Sequence, residues 1–479
     1  MVVPELLHQT ARDFPEHIAV YDDAGTMSYA ALDGAVRQTA AQLSELGIMP
    51  GQGVGVMGQN SSQFIIMAFA VMECGAVVMP ISHELKAGEL SDIIQTARLH
   101  YVLSDRGGME AIPDPVGPSV PTAGADWRLW ANPWAGGNRP FAAHVDNPAL
   151  IRFTSGTTGA SKGVILSHTS IIERTEAANK SLHLGPGDKV VWVLSMAYHF
   201  VVSIILYLRY GSAIIICRDF LADTIIEWTN RYGGTFLYAS PLHIRLLAND
   251  RSERQMPGLR RVISTSTSIS KEQCDAFRRR FGIPVSQAYG IIEVGLPVIN
   301  MEKSTDFPDA IGYALPDYEV EILDDAGKVL PSGQVGHLAM RGPGMLDAYL
   351  EPPRVRAEIL QNGWFMTGDM ASKQPDGLIR VEGRKKSMIN VSGNKVFPEE
   401  VEAVLNGHPN VAASRVSGYV HRLLGECVQA EIVLKPGAAA IDAEVIHAWC
   451  RGRLSIYKVP QKVIFVEELP MTDSGKIKR

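Results

Sequence analysis

The first hundred residues alternate between short apolar runs and longer segments with helical periodicity. Val54–Met57 and Ala76–Met79 are short apolar runs, whereas Tyr29–Leu46 and Ser61–Met72 have the length of helices. Short buried strands that alternate with helices are typical of βαβ units, in which parallel strands are covered by helices. The pattern therefore predicts a mainly parallel sheet in this part of the chain.

A second series of the same kind occupies Lys189–Ile299. Its predicted strands are Val190–Leu194, Ala213–Cys217 and Thr235–Ala239, with segments of helical length between them. Between the two series, Ala111–Trp134 is rich in proline and has no regular period, which predicts a surface loop. We therefore predict one large α/β domain made of two wound halves.

The pattern changes after Asp309 to short alternating runs separated by turn residues. EVEILDDAGKVLP contains two apolar runs on either side of the turn Asp325–Gly327, and SGQVGHLAMRG supplies a further strand. Together these segments predict a small distorted β-barrel at the end of the large domain.

A charged connector with flanking glycine, Arg384–Lys386, separates this β region from a compact tail. Within the tail, Pro398–Leu405 predicts a helix with two glutamates in its first turn, and Val428–Leu434 predicts a strand. We therefore predict two domains, a large one of residues 1–383 and a small mobile α+β domain of residues 384–479.

Composition excludes several classes of protein. Of the 479 residues, 46% are hydrophobic and 20% are charged, as in ordinary globular proteins. The net charge of −6 argues against a nucleic-acid partner. The apolar stretch Phe64–Ile81 is interrupted by Glu73, Gly75 and Pro80, which favours a buried helix followed by a buried strand over a membrane span.

The cysteines and the N-terminal residues bear on the cellular compartment. Five cysteines are scattered without a C-x-x-C pair, which indicates reduced thiols. The first residues lack the basic and then apolar regions of a secretory signal. Because reduced thiols are typical of the cytoplasm, we expect a cytoplasmic protein.

The chemically most distinctive stretch is IRFTSGTTGASKGVILSH, residues Ile151–His168. Its glycines allow backbone N–H groups to point at phosphate oxygens, and Lys162 supplies a positive charge. Gly163 follows the lysine where a Walker loop has Ser or Thr. The pattern predicts a phosphate-binding loop between two strands, and the alternative from this loop alone is a flexible surface loop. The candidate ligands are Thr154, Ser155, Gly156, Thr157, Thr158, Gly159 and Lys162.

This loop resembles the signature of the adenylate-forming (ANL) superfamily, which comprises acyl-CoA synthetases, luciferases and peptide-synthetase adenylation domains. Ser161 stands where the usual form has proline. Further stretches that resemble superfamily motifs follow in the expected order, namely QAYGIIEVG, NGWFMTGDM, SGNKVFPEEVE and PMTDSGKIKR. The resemblance implies ATP or AMP, Mg²⁺ and coenzyme A as cofactors.

In QAYGIIEVG the resemblance implies that Tyr289 stacks on adenine, that Gly290 admits the acyl group and that Glu293 helps to hold Mg²⁺. Without the resemblance, this stretch is equally a buried strand end. Ile292 replaces a threonine of the superfamily, so a hydroxyl expected near the α-phosphate is missing. This departure motivates the hypothesis that adenylation is weak and that the enzyme mainly thioesterifies a preformed acyl-adenylate.

The resemblance assigns Asp369 and Arg384 to the ribose and makes Lys386 the hinge of the tail. Taken alone, GRKK is typical of a solvated basic turn. The superfamily motifs further imply that Ser392, Gly393 and Lys395 face the site when CoA is bound. Lys476 is then the adenylation lysine, whose charge bridges the carboxylate and the α-phosphate.

The acid pocket is expected between the helix Ala197–Leu206, the strand end Tyr238–Pro241 and the loop before Tyr289. The resemblance makes His199 a residue beside the acyl group, although a single histidine on an apolar helix is as often part of the core. The serine- and threonine-rich loop Ser264–Ser268 offers hydroxyl donors to a polar or bulky acid. No aspartate is placed to bind an α-amino group, which disfavours an amino-acid substrate.

These features predict an acid–thiol ligase that converts a carboxylic acid and ATP into an acyl-adenylate and transfers the acyl group to CoA. Two alternatives stay open. One is the loading of a carrier-protein phosphopantetheine, and the other is a non-catalytic nucleotide-binding relative. We expect neither a nucleic-acid partner nor a membrane span.

Overall fold

The computed structural model describes residues 1–105, 119–122, 125–132, 135, 140–154, 162–391, 394–421, 425–439, 441–471 and 477. The chain divides into two compact units. The first comprises Met1–Glu319 and Met340–Phe365, and the second comprises Val320–Ala339 and Met366–Arg479. The domain boundary at residue 384 stays a prediction.

The chain up to residue 167 alternates helices and strands as its periodicity predicted. The elements are α1 (Val3–Asp13), β1 (Ile18–Asp22), β2 (Gly25–Ser28), α2 (Tyr29–Glu45), β3 (Gly53–Gly58), α3 (Ser62–Glu73), β4 (Val77–Ser82), α4 (Ala87–Ala97), β5 (Tyr101–Ser104), β6 (Ser119–Thr122), β7 (Ala125–Ala131), β8 (Pro148–Thr154) and β9 (Lys162–Ser167). The apolar stretch Phe64–Ile81 forms most of the buried helix α3 and the buried strand β4. Among the described helices, none combines the length and the hydropathy that crossing a bilayer requires.

Residues 168–314 form the second series. The elements are α5 (His168–Leu182), β10 (Lys189–Trp192), α6 (Met196–His199), a π-helical segment (Phe200–Ile205), α7 (Leu206–Arg209), β11 (Ala213–Ile216), α8 (Ala222–Tyr232), β12 (Phe236–Ala239), α9 (Pro241–Ala248), β13 (Arg261–Ser264), α10 (Lys271–Phe281), β14 (Val285–Ile291), β15 (Gly295–Ile299) and β16 (Tyr313–Ala314). The predicted strands are confirmed as β10, β11 and β12.

The rest of the chain contributes to both units. The elements are β17 (Glu319–Leu323), β18 (Val335–Arg341), β19 (Ala348–Tyr349), β20 (Arg354–Val355), α11 (Arg356–Ile359), β21 (Phe365–Lys373), β22 (Ile379–Arg384), β23 (Ile389–Val391), β24 (Asn394–Val396), α12 (Pro398–Asn406), β25 (Val411–His421), β26 (Gly425–Leu434), α13 (Ala443–Arg451), a 3₁₀ turn (Ile456–Lys458) and β27 (Lys462–Phe465). The predicted helix and strand of the tail are confirmed as α12 and part of β26.

Two nine-stranded sheets organise the first unit. One has the order β20-β19-β9-β8-β4-β3-β5-β7-β6, with β5, β3, β4 and β8 parallel. The other has the order β16-β15-β14-β13-β12-β10-β11-β1-β2, with a parallel run from β14 to β1. The prediction of two wound halves with largely parallel sheets is therefore confirmed.

The prediction of a surface loop at Ala111–Trp134 is wrong for two parts of that stretch. β6 and β7 pair antiparallel, and β7 also pairs with β5. Leu129 and Trp130 are neighbours in sequence and both are buried, so both faces of β7 are covered there. A strand that is covered on both faces lacks the alternation by which strands are predicted from sequence.

In the second unit, the predicted barrel is wrong, although the β-rich character of the segment is confirmed. The described strands form an open four-stranded sheet in the order β17-β18-β21-β22, so β17 and β22 lie at opposite edges. Four strands are too few to close around a layer of side chains. A three-stranded sheet, β25-β26-β27, packs with α12 and α13 through a core that includes Leu405, Ile432 and Ile446.

Candidate active site

The strands on both sides of the predicted phosphate loop are present. β8 and β9 pair antiparallel, and the backbone of Thr154 lies opposite Lys162 where the chain leaves the sheet. The predicted ligands Ser155, Gly156, Thr157, Thr158 and Gly159 lie outside the described residues. The two strands thus place the backbones of Thr154 and Lys162 opposite each other, where the loop begins and ends.

A tyrosine connects Lys162 with the carboxylate predicted to hold Mg²⁺. The Lys162 Nζ atom lies 4.8 Å from the centre of the Tyr349 ring. The Tyr349 hydroxyl donates a hydrogen bond to Glu293 Oε1 at 3.5 Å. Tyr349 belongs to β19, which pairs with β9 beside the loop. No sequence motif marked Tyr349, because its strand joins this sheet only through the tertiary fold.

Glu293 lies among three cationic side chains. Burial raises the pKa of this carboxyl group, while Arg152, Arg174 and Lys162 act in the opposite direction. Its main chain is fixed by a hydrogen bond from the Leu346 N–H to the Glu293 carbonyl at 2.7 Å. A carboxylate in this setting is suited to share a divalent cation with bound phosphates.

The donor set fits Mg²⁺ that arrives with a nucleotide. The described part of the chain contains no cluster of three or more His, Cys, Asp or Glu side chains that could hold a metal ion. Mg²⁺ is usually bound by one or two carboxylates together with substrate phosphates and water. Glu293 fits that arrangement, whereas a fully protein-bound ion would need more ligands.

Tyr289 and Gly290 lie at the end of β14, where the ladder with β15 is irregular. A Cβ atom at Gly290 would lie 2.7 Å from the carbonyl oxygen of Gly295. Glycine is therefore required by the close approach of two backbones, a reason that the sequence prediction did not contain. Tyr289 is half-buried at the carboxyl end of its strand, where ligands of parallel sheets commonly bind.

Ile292 is anchored by a buried arginine that sequence analysis missed. The Ile292 carbonyl accepts a hydrogen bond from Arg174 Nη1 at 2.9 Å. Arg174 lies on α5, is only 1% exposed and also donates from Nε to the Gly344 carbonyl at 2.7 Å. Burial lowers the pKa of Arg174 to about 10. This arginine holds the main chain on which Glu293 is presented.

A second arginine, Arg152, extends from β8 towards α6. Its Cζ atom lies 5.6 Å from the centre of the Tyr198 ring. The neighbouring residues Ile151 and Phe153 pack in the core, so Arg152 faces the other side of the sheet. Within the described residues its buried Nε has no hydrogen-bond partner. Nothing in the sequence distinguished this arginine from a surface charge.

His199 meets the serine- and threonine-rich loop, as the predicted acid pocket requires. The His199 Nε2 atom lies 3.3 Å from Ser266 Oγ, and the His199 ring centre lies 6.4 Å from that of Trp192. α6 ends at His199 and continues as the π-helical segment. The backbone is kinked within that segment at Val202, which has non-helical φ and ψ angles of −87° and 28°. His199 is thus not a lone histidine on an apolar helix.

The two predicted ribose ligands lie together in the second unit. Asp369 on β21 is opposite Arg384 on β22, and Arg384 Nε lies 3.2 Å from Asp369 Oδ1. The Asp369 side chain is shielded from water, whereas that of Arg384 is exposed. The arrangement offers a fixed carboxylate and a cation from neighbouring strands.

Lys386 lies in the exposed turn that follows β22. The preceding residue is fixed: the Lys385 N–H donates to the Gly368 carbonyl at 3.0 Å, and Lys385 Nζ lies 3.0 Å from Asp325 Oδ1. Hydrogen bonding to His337 and Lys385 lowers the pKa of Asp325 to about 2. The Ser387 and Met388 N–H groups also donate to the Arg384 carbonyl, at 3.2 and 3.1 Å, so hydrogen bonds hold the chain on both sides of the predicted hinge.

The remaining predicted residues of the tail are covered only in part. Lys395 lies on β24 opposite Asn390, and its backbone alone is described. Ser392, Gly393 and Lys476 lie outside the described residues. Their roles stay predictions.

Comparison with known proteins identifies the class that this fold and these sites define. Residues 7–350 match the family described as AMP-binding enzyme, and residues 400–476 match the AMP-binding enzyme C-terminal domain. The chain belongs to this family, and its membership in the adenylate-forming superfamily is confirmed. The predicted enzyme class, an AMP-forming acid–thiol ligase, is confirmed as well.

Individual relatives match along nearly the whole chain. A sulfoacetate–CoA ligase from Cupriavidus necator is 30% identical, over 96% of this chain and 90% of that protein. A feruloyl-CoA synthase from an Amycolatopsis species is 28% identical, over 98% of this chain and 95% of that protein. The crystal structure of ATP-bound MatB from Rhodopseudomonas palustris is 26% identical with a TM-score of 0.85, covering 100% of this chain and 97% of that one.

Proposed function

We propose that this protein is an acyl-CoA synthetase that works in two steps. In the first, a carboxylate oxygen attacks the α-phosphorus of ATP, which gives an acyl-adenylate and releases pyrophosphate. In the second, the sulfur of CoA attacks the acyl carbonyl carbon and the thiol loses its proton. The thioester forms and AMP leaves.

The observation that carries this proposal is the connected set of Lys162, Tyr349 and Glu293. These residues are far apart in sequence, yet a lysine of the phosphate loop and a carboxylate suited to Mg²⁺ contact the same tyrosine. Preorganised charge of this kind stabilises the negative charge that develops during phosphoryl chemistry. Bound Mg²⁺ would polarise and partly neutralise the phosphates, with Glu293 as its protein ligand.

Within this proposal the other residues take the roles that the superfamily resemblance implies. Asp369 accepts hydrogen bonds from the ribose hydroxyls, and Arg384 lies beside it. Tyr289 stacks on adenine, and Lys476 neutralises charge at the reacting phosphate. The tail, residues 384–479, pivots at Lys386 between the two steps and brings Ser392, Gly393 and Lys395 to CoA.

The acyl acceptor and the compartment are the less constrained parts of the proposal. The named relatives include CoA ligases and a fatty acid–[acyl-carrier-protein] ligase from Streptomyces coeruleorubidus, so both thiols occur among them. We favour free CoA. The five cysteines are free and buried, which supports a cytoplasmic location.

A panel of carboxylic acids with ATP and CoA, analysed by mass spectrometry for adenylate and thioester, tests the function. We expect both products from the same acid. Thioester that appears only after addition of a carrier protein would favour the carrier-protein alternative. Nucleotide binding without either product would favour a non-catalytic relative.

A second candidate activity rests on Ile292. Because an apolar side chain stands where a hydroxyl is expected, we propose that adenylation is the weaker step and that a preformed acyl-adenylate is thioesterified more readily. Loss of one donor to a charged group costs about 1–3 kcal/mol.

The prediction is that Ile292→Thr accelerates pyrophosphate exchange about tenfold or more, while CoA capture of the synthetic adenylate changes little. Brisk exchange in the wild type that the threonine does not improve contradicts weak adenylation.

A further inference from the structure

The carboxyl edge of the second sheet carries a serine in a conformation that favours glycine. Ser266 has a φ angle of +78°, in the left-handed region. Residues other than glycine pay about 1–3 kcal/mol for such conformations, which cluster at ligand-binding positions. The Ser266 side chain contacts His199, with 3.3 Å between Ser266 Oγ and His199 Nε2. The strained serine therefore presents one half of a polar pair.

The pair lies where several parallel strands end. β10 ends at Trp192, which is opposite Tyr238 near the end of β12, and β13 ends at Ser264 just before Ser266. In sheets of this kind, ligands bind beyond the carboxyl ends of the strands. His199 lies in the same place because α6 follows β10 directly.

Buried hydrogen-bonding groups around α6 remain unsatisfied. Trp192 Nε1, Ser203 Oγ and Ser264 Oγ have no partner in the described part of the chain, although these residues are at most 1% exposed. The Trp192 indole N–H can donate a hydrogen bond but cannot accept one. The same holds for the guanidinium of Arg152, which lies beside Tyr198. The serine hydroxyls can donate or accept, so the preference for a negatively charged, acceptor-rich ligand group rests on the Trp192 N–H and the Arg152 cation.

We propose that the substrate acid carries a second anionic group, a carboxylate or sulfonate, which Ser266 and His199 bind. This inference rests on the proposed function, since it names the class of acid that the same site activates. The Ser266 hydroxyl donates to the anion, and the imidazole donates to the Ser266 oxygen. The cation of Arg152 favours negative charge in the same region.

Matched acids test the proposal on the full-length enzyme. Malonate, succinate and 3-sulfopropionate are compared with propionate and butyrate as substrates for thioester formation with ATP and CoA. We expect kcat/KM to be at least about tenfold higher for the acids with two anionic groups, as for a hydrogen bond to a charged group. Equal or higher values for the monocarboxylates overturn the proposal.

Ser266→Gly removes the hydroxyl and also relieves the strained φ angle, so the variant is expected to fold at least as well as the wild type. The distal anion does not take part in bond formation, so its loss of a partner affects ground state and transition state alike. We expect KM for succinate to rise about tenfold with kcat nearly unchanged, and KM for butyrate to change far less. A loss that is equal for both acids, or no loss, counts against the role of Ser266.

His183→Gly is the matched control. His183 also has a positive φ, +49°, and is exposed at the end of α5, so this variant relieves strain without touching the pair. Its kinetics should match those of the wild type with both acids. A change in succinate KM in this variant would attribute the Ser266→Gly effect to backbone strain and reject the specificity role.

Calorimetric titration of succinate in the presence of AMP separates this inference from the proposed function. If Ser266→Gly weakens succinate binding but no acid yields a thioester with CoA, the function fails and the anion site stands. If thioesters form without any dependence on a second anion or on Ser266, the function stands and the anion site is rejected.

Discussion

Arg174 and Arg152 both influence the charge of Glu293, yet they differ in hydrogen bonding, since all three nitrogens of the Arg174 guanidinium donate to carbonyl oxygens. Arg174 donates to the carbonyl oxygens of Ile292 and Gly344. Arg152 contacts the Tyr198 ring, while its buried Nε lacks a partner among the described residues. A buried donor left unpaired costs about 1–3 kcal/mol, so such a group is commonly one that a ligand satisfies.

The surroundings of the two arginines differ in the same way. A Cβ atom at Gly344 would lie 2.4 Å from the Ser170 carbonyl oxygen and 2.6 Å from the backbone nitrogen of Arg174. The backbones around Arg174 are therefore packed so closely that only glycine fits at position 344. Around α6, by contrast, Trp192 and Ser203 keep unsatisfied polar atoms within the described chain. Burial of a charge therefore does not by itself mark a functional site, and incomplete hydrogen bonding is what distinguishes Arg152 from Arg174 within the described chain.

The largest expected effect is on stability at Arg174. Arg174→Met would leave two buried carbonyl groups without a donor, and we expect the free energy of unfolding to fall by about 3–5 kcal/mol. Denaturant unfolding measures this directly. A loss below about 1 kcal/mol would contradict a structural role for Arg174 and remove the contrast with Arg152.

A smaller effect is expected from pH at the start of α5. Burial lowers the pKa of His168 to about 4, and its Nδ1 accepts a hydrogen bond from the Val3 N–H at 3.0 Å. As the pH falls from 6.5 towards 4, His168 binds a proton in the unfolded chain but not in the folded protein. The free energy of unfolding therefore decreases. The stability that neutral His168 contributes is fully present above pH 6.5. Below that pH the free energy of unfolding decreases by up to about 1.4 kcal/mol per pH unit.

His168→Asn keeps an acceptor near the Nδ1 position and removes the titration. Between pH 7 and pH 5 the free energy of unfolding should therefore decrease by about 2 kcal/mol more in the wild type than in the variant, in which His243, whose pKa burial also lowers to about 4, still titrates. Parallel pH profiles of the two proteins would mean that His168 is not buried in its neutral form.

The smallest stability effect is expected at Arg152. Arg152→Met removes an incompletely paired donor, so the free energy of unfolding should change by less than about 1 kcal/mol. If Arg152 serves an anionic ligand, the KM for the acid or for ATP should nevertheless rise about tenfold. A stability loss as large as that of Arg174→Met would show that Arg152 is also structural.

Much of the fold was predictable because it depends on local patterns. Helices such as α2 and α3 and strands such as β3 and β11 carry their periodicity in consecutive residues. The resemblance also assigned Asp369 and Arg384 to one ligand group, and in the structure they lie opposite each other on strands that follow one another in the chain. The strand β7 was missed because its covered faces hide the alternation, and the barrel was wrong because closure is a property of the whole sheet.

The sequence by itself determined the order of the elements and the superfamily, since these depend on short motifs and local periodicity. Tertiary structure alone decided that Tyr349 bridges Lys162 and Glu293, and that Arg174 holds Ile292. It also decided that Ser266 takes a left-handed conformation beside His199. Each of these contacts joins residues from separate elements, and the packing of sheets and helices sets their distance, which no local pattern encodes.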